Sequence, residues 1–279
     1  MQDTYCQTEY DRLRSVILCE PTYMSIEEAI NDIQKVYSRE NIDSKKAQSE
    51  HQELLKTLRN HDINVKIIPA HSDFPEQVFT RDIGFVIDYT LYAGKLKREI
   101  RQGEHEQFKE FLQSENIVFQ EISEGTIEGG DVIINGDHIY IGNSSRTAKD
   151  SLMQIRRNHE DKMIHLIEFD EKYLHLDCVF NPISDKEALV FTDAISEESL
   201  LLLKEHFQFI EVSKEEQFQL AVNVLSIGNK QIIALPKNTL TNQQLIDRGY
   251  TIIEVDFSEI IKSGGSFRCV TMPLWRENE

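Results

Sequence analysis

The sequence predicts an α/β domain of five pseudo-equivalent ββαβ units set around an axis. Two observations carry that expectation. A pattern of short apolar strand, polar turn, amphipathic helix and second apolar strand recurs five times, and polar residues mark each handover from one unit to the next. The markers Asp82, Asp131, Asp177, Asn223 and Cys269 are separated by 49, 46, 46 and 46 residues. A period of this size is the signature of units that bury their faces against one another. No low-complexity linker divides the chain, so residues 1–279 are expected to form one domain whose equivalent unit ends converge at one mouth.

The first unit runs from Ser15-Val-Ile-Leu through a helix around Glu50 to Leu58 and closes with Val65-Lys-Ile-Ile. The second has Phe85-Val-Ile, a helix from Glu104 to Gln113, and Val118-Phe-Gln-Glu-Ile. The third has Asp131-Val-Ile-Ile and His138-Ile-Tyr-Ile, a helix beginning near Thr147, and Met163-Ile-His-Leu-Ile. The fourth has Ala188-Leu-Val-Phe, a helix from Glu197 to Glu205, and Phe209-Ile-Glu-Val. The fifth has Val224-Leu-Ser-Ile and Gln231-Ile-Ile-Ala-Leu, a helix near Asn242 to Arg248, and Tyr250-Thr-Ile-Ile-Glu-Val.

Charge narrows the function. Thirty Lys and Arg stand against 48 Asp and Glu, a formal charge of −18, which repels phosphate backbones and anionic lipid. Nucleic acid and membrane are therefore set aside as partners. No basic stretch followed by an apolar one opens the chain, and no apolar run approaches the roughly 18 residues that span a bilayer. A soluble, cytoplasmic protein is expected. Cys6, Cys19, Cys178 and Cys269 are too scattered for a disulfide framework or a zinc ligand set.

The handover segments carry the chemistry: Glu76-Gln-Val-Phe-Thr-Arg-Asp82, Glu128-Gly-Gly-Asp131, His175-Leu-Asp177 and Gly264-Gly-Ser-Phe-Arg-Cys269. Cys269 follows a Gly-Gly pair that permits close substrate approach, which suits an exposed nucleophile; a buried apolar cysteine fits the same spacing. His175 and Asp177 alternate, so on a strand both face one way, and a histidine beside a carboxylate is a candidate acid/base. Asp82, Glu128 and Asp131 gather carboxylates that need a positive partner, either a metal or a planar organic cation such as a guanidinium. Arg81, Arg98, Arg146 and Arg268 lie near the same segments and could hold a substrate carboxylate, or form surface salt bridges.

At these residues the sequence resembles the guanidine-modifying enzymes of the pentein fold: arginine deiminases, dimethylarginine dimethylaminohydrolases and glycine amidinotransferases. Phe79-Thr-Arg-Asp82, Ile127-Glu-Gly-Gly-Asp131, Leu174-His-Leu-Asp177 and Gly264-Gly-Ser-Phe-Arg-Cys269-Val-Thr-Met-Pro-Leu match family motifs in the family's order, nearly end to end. The resemblance implies a five-bladed α/β propeller and covalent catalysis without metal or other cofactor. It implies Cys269 as nucleophile, His175 as general acid/base, and Glu128 and Asp82 as the guanidinium grip, joined by Asp177 and by Asp131 of the same motif. Phe79 and Glu76 would shape the substrate end, and Arg98, Arg146 and Arg268 would serve its carboxylate. The motifs divide between deiminase and dimethylargininase; the short chain and its tail favour the latter. Methylated arginine is the leading substrate, arginine the next, with an amidinotransferase or a non-catalytic binding protein as alternatives. The oligomeric state stays open, a homodimer included.

Overall fold

The computed structural model describes residues 4–278. Its elements run β1 (Arg12–Cys19), α1 (Asp32–Tyr37), α2 (Ser44–Asn60), β2 (Asn64–Ile68), β3 (Gly84–Ile87), β4 (Thr90–Ala93), α3 (Gln102–Ser114) and β5 (Gln120–Glu121). There follow β6 (Val132–Asn135), β7 (His138–Gly142), α4 (Lys149–Asn158), β8 (Met163–Ile167), β9 (Phe180–Pro182), β10 (Glu187–Val190), α5 (Glu197–His206), β11 (Gln208–Glu211) and α6 (Lys214–Phe218). The chain closes with β12 (Leu225–Gly228), β13 (Gln231–Ala234), α7 (Thr239–Asp247), β14 (Thr251–Glu254) and β15 (Met272–Glu277).

These strands make five three-stranded mixed sheets of one pattern: β15-β1-β2, β3-β4-β5, β6-β7-β8, β9-β10-β11 and β12-β13-β14. In each, the middle strand is antiparallel to one neighbour and parallel to the other. A parallel pair needs a long crossover, and a helix supplies it in every unit. Local chemistry starts those helices. Asp43 caps α2 by accepting from the amides of Lys45 and Lys46, and Ser196 caps α5 by accepting from that of Ser199. The buried Ala47, His51, Leu54, Leu55 and Leu58 recur at helical spacing and turn α2 onto its sheet.

Strand alternation ties the sheets together. Val132 and Ile134 of β6 pack in one core cluster with Phe85 and Ile87 of β3, whereas Ile133 between them joins Leu189 of β10 and Ile232 of β13. Likewise Val16 and Leu18 pack with Leu225 and Ile233, while Ile17 packs with Val86 and Leu91. Each sheet thus buries both faces against neighbours, as period-two alternation requires. A fully buried side chain of this kind contributes about 1.5–3 kcal/mol.

Hydrogen bonds stitch the five handover segments into a closed loop. The Arg81 amide donates to the Cys269 carbonyl (3.0 Å), Gly129 to the Asp82 carbonyl (3.0 Å) and Leu176 to the Asp131 carboxylate (3.0 Å). The Asn223 side-chain amide donates to the Asp177 carbonyl (3.2 Å), and the Arg268 amide to the Asn223 carbonyl (3.3 Å). Every marker residue sits one to three positions before the first strand of a sheet, so the repeat read in the sequence is structural.

Several local expectations are corrected. The antiparallel partner of β1 is β15, from the far end of the chain, which no local period reveals. Residues 174–178 are not a strand: Leu174 takes φ 70° and Leu176–Cys178 forms a 3-10 turn, so strand alternation does not orient His175 and Asp177. Of Val118–Ile122 only Gln120 and Glu121 pair as a strand. Among the described residues no helix is long and apolar enough to cross a membrane.

Candidate active site

The handover segments line a cleft whose walls include Glu76, Phe79, Asp82, Arg146, His175 and Cys269. Cys269 is held there by the loop before β15. Asn223 Oδ1 accepts from the amides of Ser266 (3.2 Å) and Cys269 (3.1 Å), and the Val270 amide reaches back to the Ser266 carbonyl, closing one tight turn. The turn is entered through Gly264 at φ 95°, a conformation that disfavours side chains, and a Cβ there would lie 2.7 Å from the Asn31 side chain. The thiol is buried and its Sγ faces Asp177 Oδ1 at 3.9 Å.

His175 sits between two carboxylates. Its Nε2 lies 2.6 Å from Glu128 Oε2 and its Nδ1 3.5 Å from Asp82 Oδ1. Burial pulls the imidazolium towards neutrality, but the Asp82 charge and the Glu128 hydrogen bond outweigh it and raise its pKa to about 10. Burial acts on Glu128 in the opposite sense, and His175 and Arg146 more than offset it, so Glu128 stays below the usual carboxylate range. The pair is an imidazolium–carboxylate couple at neutral pH. Glu128 also accepts from the Lys97 amide (2.9 Å) and from Arg146 Nη1 (3.3 Å).

The sequence reading missed Arg101. Its guanidinium donates to Asp82 Oδ2 (2.5 Å) and to both oxygens of Glu104 (2.9 and 2.8 Å), fully buried beside the cleft. An Arg-Gln-Gly-Glu spacing at a helix start, which sets opposite charges three positions apart, was the available signal. Asp82 Oδ1 makes no hydrogen bond among the described residues, with only the His175 imidazolium facing it at 3.5 Å, and can accept from a further donor. Glu76 accepts from Gln34 Nε2 (2.7 Å) and Ser263 Oγ (3.1 Å); burial raises its pKa to about 7 despite the Arg101 charge.

A second cavity adjoins the first and shares Ile30, Asn31, Arg146 and Leu174 with it. Its other walls include Lys35, Arg98 and Lys172 with Asp32 and Glu171, so basic side chains outnumber acidic ones there. Arg98 stands exposed at this rim, and Arg146 bridges the two spaces.

Three expected substrate contacts are engaged by other protein groups in this structure. The Asp131 carboxylate accepts from Ser144 Oγ (2.5 Å), Thr147 Oγ1 (2.8 Å) and the Leu176 amide, so it braces two loops rather than lining the cleft. Arg268 turns away from the cleft to pair with Glu9 (3.0 Å) and Asn181 (3.0 Å). Asp177 is also absent from the cleft wall; its Oδ1 faces both Cys269 and Cys178, and its Oδ2 lies 3.6 Å from Arg268. Cys178 is a buried core cysteine that also neighbours the Cys269 thiol, and the contact drives its pKa well above the ordinary value.

Asp82, Glu128 and His175 bring one ligand atom each within 4.8 Å of one another, a set that could hold a metal ion. In this structure Arg101, Arg146 and His175 itself provide positive charge to those carboxylates.

Comparison with known proteins agrees with this geometry. Residues 20–276 match the family described as N,N dimethylarginine dimethylhydrolase, eukaryotic. The chain is 48% identical to the uncharacterized protein YkgA of Bacillus subtilis, over 98% of this chain and 96% of that one. It is 27% identical to the N(G),N(G)-dimethylarginine dimethylaminohydrolase of Pseudomonas aeruginosa, over 82% of this chain and 89% of that enzyme. Its fold superposes with TM-score 0.86 at 21% identity on the product-bound N-terminal domain of ArgZ, a cyanobacterial arginine dihydrolase, covering 95% of this chain and 98% of that domain. The chain belongs to the N,N dimethylarginine dimethylhydrolase family, among the pentein-fold guanidine-modifying enzymes.

Proposed function

We propose that the protein hydrolyses a guanidino amino acid, methylated arginine first and arginine second, giving citrulline and an amine or ammonia. The observation that carries this reading is the two-part cavity. Its inner part holds Glu76 and Asp82, the latter with an oxygen that makes no hydrogen bond among the described residues, and its outer part carries Lys35, Arg98, Arg146 and Lys172 against Asp32 and Glu171. A zwitterion with a guanidinium at one end and a carboxylate at the other complements both. Ile30, Phe79 and Leu174 add apolar wall suited to N-methyl groups. The hydrolase names of the family and of the Pseudomonas relative support the same class.

In this reading the five sheets are blades of one propeller domain spanning residues 1–279, of which 4–278 are described, and the protein works in the cytoplasm. The guanidinium lies against Asp82 and Glu128 with its central carbon facing Cys269. A free thiol of pKa about 8.5 is mostly protonated at pH 7, and the incoming cation and the His175 imidazolium both favour the thiolate. Sγ attacks the guanidinium carbon, and the resulting tetrahedral adduct collapses as His175 protonates the departing nitrogen. The amine leaves and a thiouronium remains on Cys269. His175, now neutral, takes a proton from water as the water attacks, and the carbon–sulfur bond breaks to release the ureido product. Among solved relatives, a variant of the ArgZ N-terminal domain is described as covalently bound to a reaction intermediate, which supports a covalent route.

The test is a ureido-product assay over arginine, methylated arginines, agmatine and guanidino acids, with Cys269→Ala beside the native protein. Product from an amino-acid guanidine, absent in the variant, is the expected result. Product from none of them would remove the reading.

A further inference from the structure

Away from the cleft, three histidines meet on the outer flank of the third and fourth units. His138 opens β7, His165 lies two residues into the parallel β8, and His206 ends α5. The register sets Tyr140 opposite His165, so His138 and His165 occupy the same face of that sheet. Their rings stack at 5.2 Å with an 11° interplanar angle, and His206 closes on His138 at 4.3 Å. His138 Nδ1 and His165 Nε2 are 2.9 Å apart, and one ring nitrogen from each of the three lies within 4.8 Å of the others.

We propose that His138, His165 and His206 form a binding site for a divalent first-row metal ion of the zinc type. Three imidazoles suit zinc, copper, nickel or cobalt and do not suit magnesium or calcium, which take oxygen ligands. Two nitrogens on one tetrahedral zinc stand about 3.3 Å apart, given bonds of roughly 2.0–2.1 Å. The His138–His165 pair is within a few tenths of an ångström of that edge, and the ion would take the place of the proton the two nitrogens share.

The surroundings favour a cation. Metal ligation needs neutral imidazole. The carboxylates of Asp137 and Glu205 act on His138 and His165 respectively and supply compensating charge. His206 is the last residue of a ten-residue helix, where the outward carbonyl dipoles also favour positive charge. Beneath the rings the floor is rigid: Tyr140 is fully buried, stacks on His165 at 5.2 Å, and packs edge-on against Phe180. All three histidines are partly exposed, which leaves an entry path and room for a water as fourth ligand.

The decisive experiment is zinc binding by equilibrium dialysis on chelator-stripped Cys269→Ser protein. That substitution keeps the cleft thiol from contributing a competing site. One zinc per chain is expected, with affinity weakened at least tenfold in the further variants His165→Ala and His206→Gln. Zinc should also raise the Tm of the parent and not of the histidine variants, since a ligand that binds only the folded state stabilises it. Equal Tm of the metal-free chains certifies that the variants fold. Zinc retained equally by all three proteins, or by none, would overturn the assignment.

Discussion

Two buried clusters of charge are built from adjacent residues of the same segments. Asp82 and Cys269 line the cleft, while Arg81 and Arg268, one position earlier in each case, point into a second cluster around Glu9. The cleft cluster sets four carboxylates, Glu76, Asp82, Glu104 and Glu128, against three cationic side chains, Arg101, Arg146 and His175. The Glu9 cluster is balanced the other way, with Glu9 and Asp177 against Arg81, Arg268 and Arg276. Most of its groups are spent on the protein itself, although Asp177 Oδ2, Arg268 Nε and Nη2 and Arg276 Nε make no hydrogen bond among the described residues. Arg81 donates to the Gly129 and Val132 carbonyls, Arg276 to the Asp11 and Ser226 carbonyls, and Glu9 accepts from the Ile134 amide. The cleft keeps an Asp82 oxygen that makes no hydrogen bond, with His175 Nδ1 3.5 Å away, and a Glu76 that is half protonated near pH 7. The comparison teaches that burial and charge alone do not mark a site. What marks it is a thiol, a histidine and carboxylates that line a common open cleft.

The comparison can be broken by substitutions that exchange the two behaviours. The largest effect is expected at Cys269: Cys269→Ala should lower turnover by at least ~10³-fold, as removal of a nucleophile does, with Tm unchanged. Retained turnover would detach the thiol from the chemistry. Next comes Glu9→Ala, which strands buried arginines and should cost roughly 3–5 kcal/mol in urea unfolding. Burial opposes ionisation of Glu9, and Arg268 and Arg81 more than offset it, lowering its pKa from 4.5 to about 2. Its contribution is therefore present above pH 4.5 and lost as pH falls towards 2, and Glu9→Gln should flatten stability across that window. By contrast Asp82→Asn should lower kcat/KM by ~10²-fold with a much smaller loss of stability, because the amide oxygen still accepts from Arg101. If Asp82→Asn unfolds the protein as readily as Glu9→Ala, the two clusters are not different in kind.

The smallest effect sharpens the picture through pH. Glu76, raised to about 7, is neutral below that pH and an anion above it. Binding of a cation then weakens as pH falls, and kcat/KM should drop up to about tenfold per unit below pH 7. Glu76→Gln should remove that limb and hold kcat/KM near its low-pH value throughout. An unchanged profile would place Glu76 outside the grip.

Much of this was legible in the sequence because repetition reports on geometry. The 46-residue interval located all five handover segments, and those segments hold Asp82, Glu128, His175 and Cys269. Side-chain direction was not legible. Arg268 and Cys269 are neighbours that go opposite ways because a tight turn capped by Asn223, not a strand, carries them. Asp131 was read as a ligand because its motif is acidic, yet Ser144, Thr147 and the Leu176 amide, all distant in sequence, consume it. The pairing of β1 with β15 joins segments some 260 residues apart, beyond any local pattern.

The most direct test of the central claim is intact-protein mass spectrometry after acid quench during turnover of a methylated arginine. The account predicts a transient adduct of substrate minus amine, mapped to the Cys269 peptide and missing in Cys269→Ala. Steady turnover with no adduct, or an adduct that survives in the variant, would contradict it.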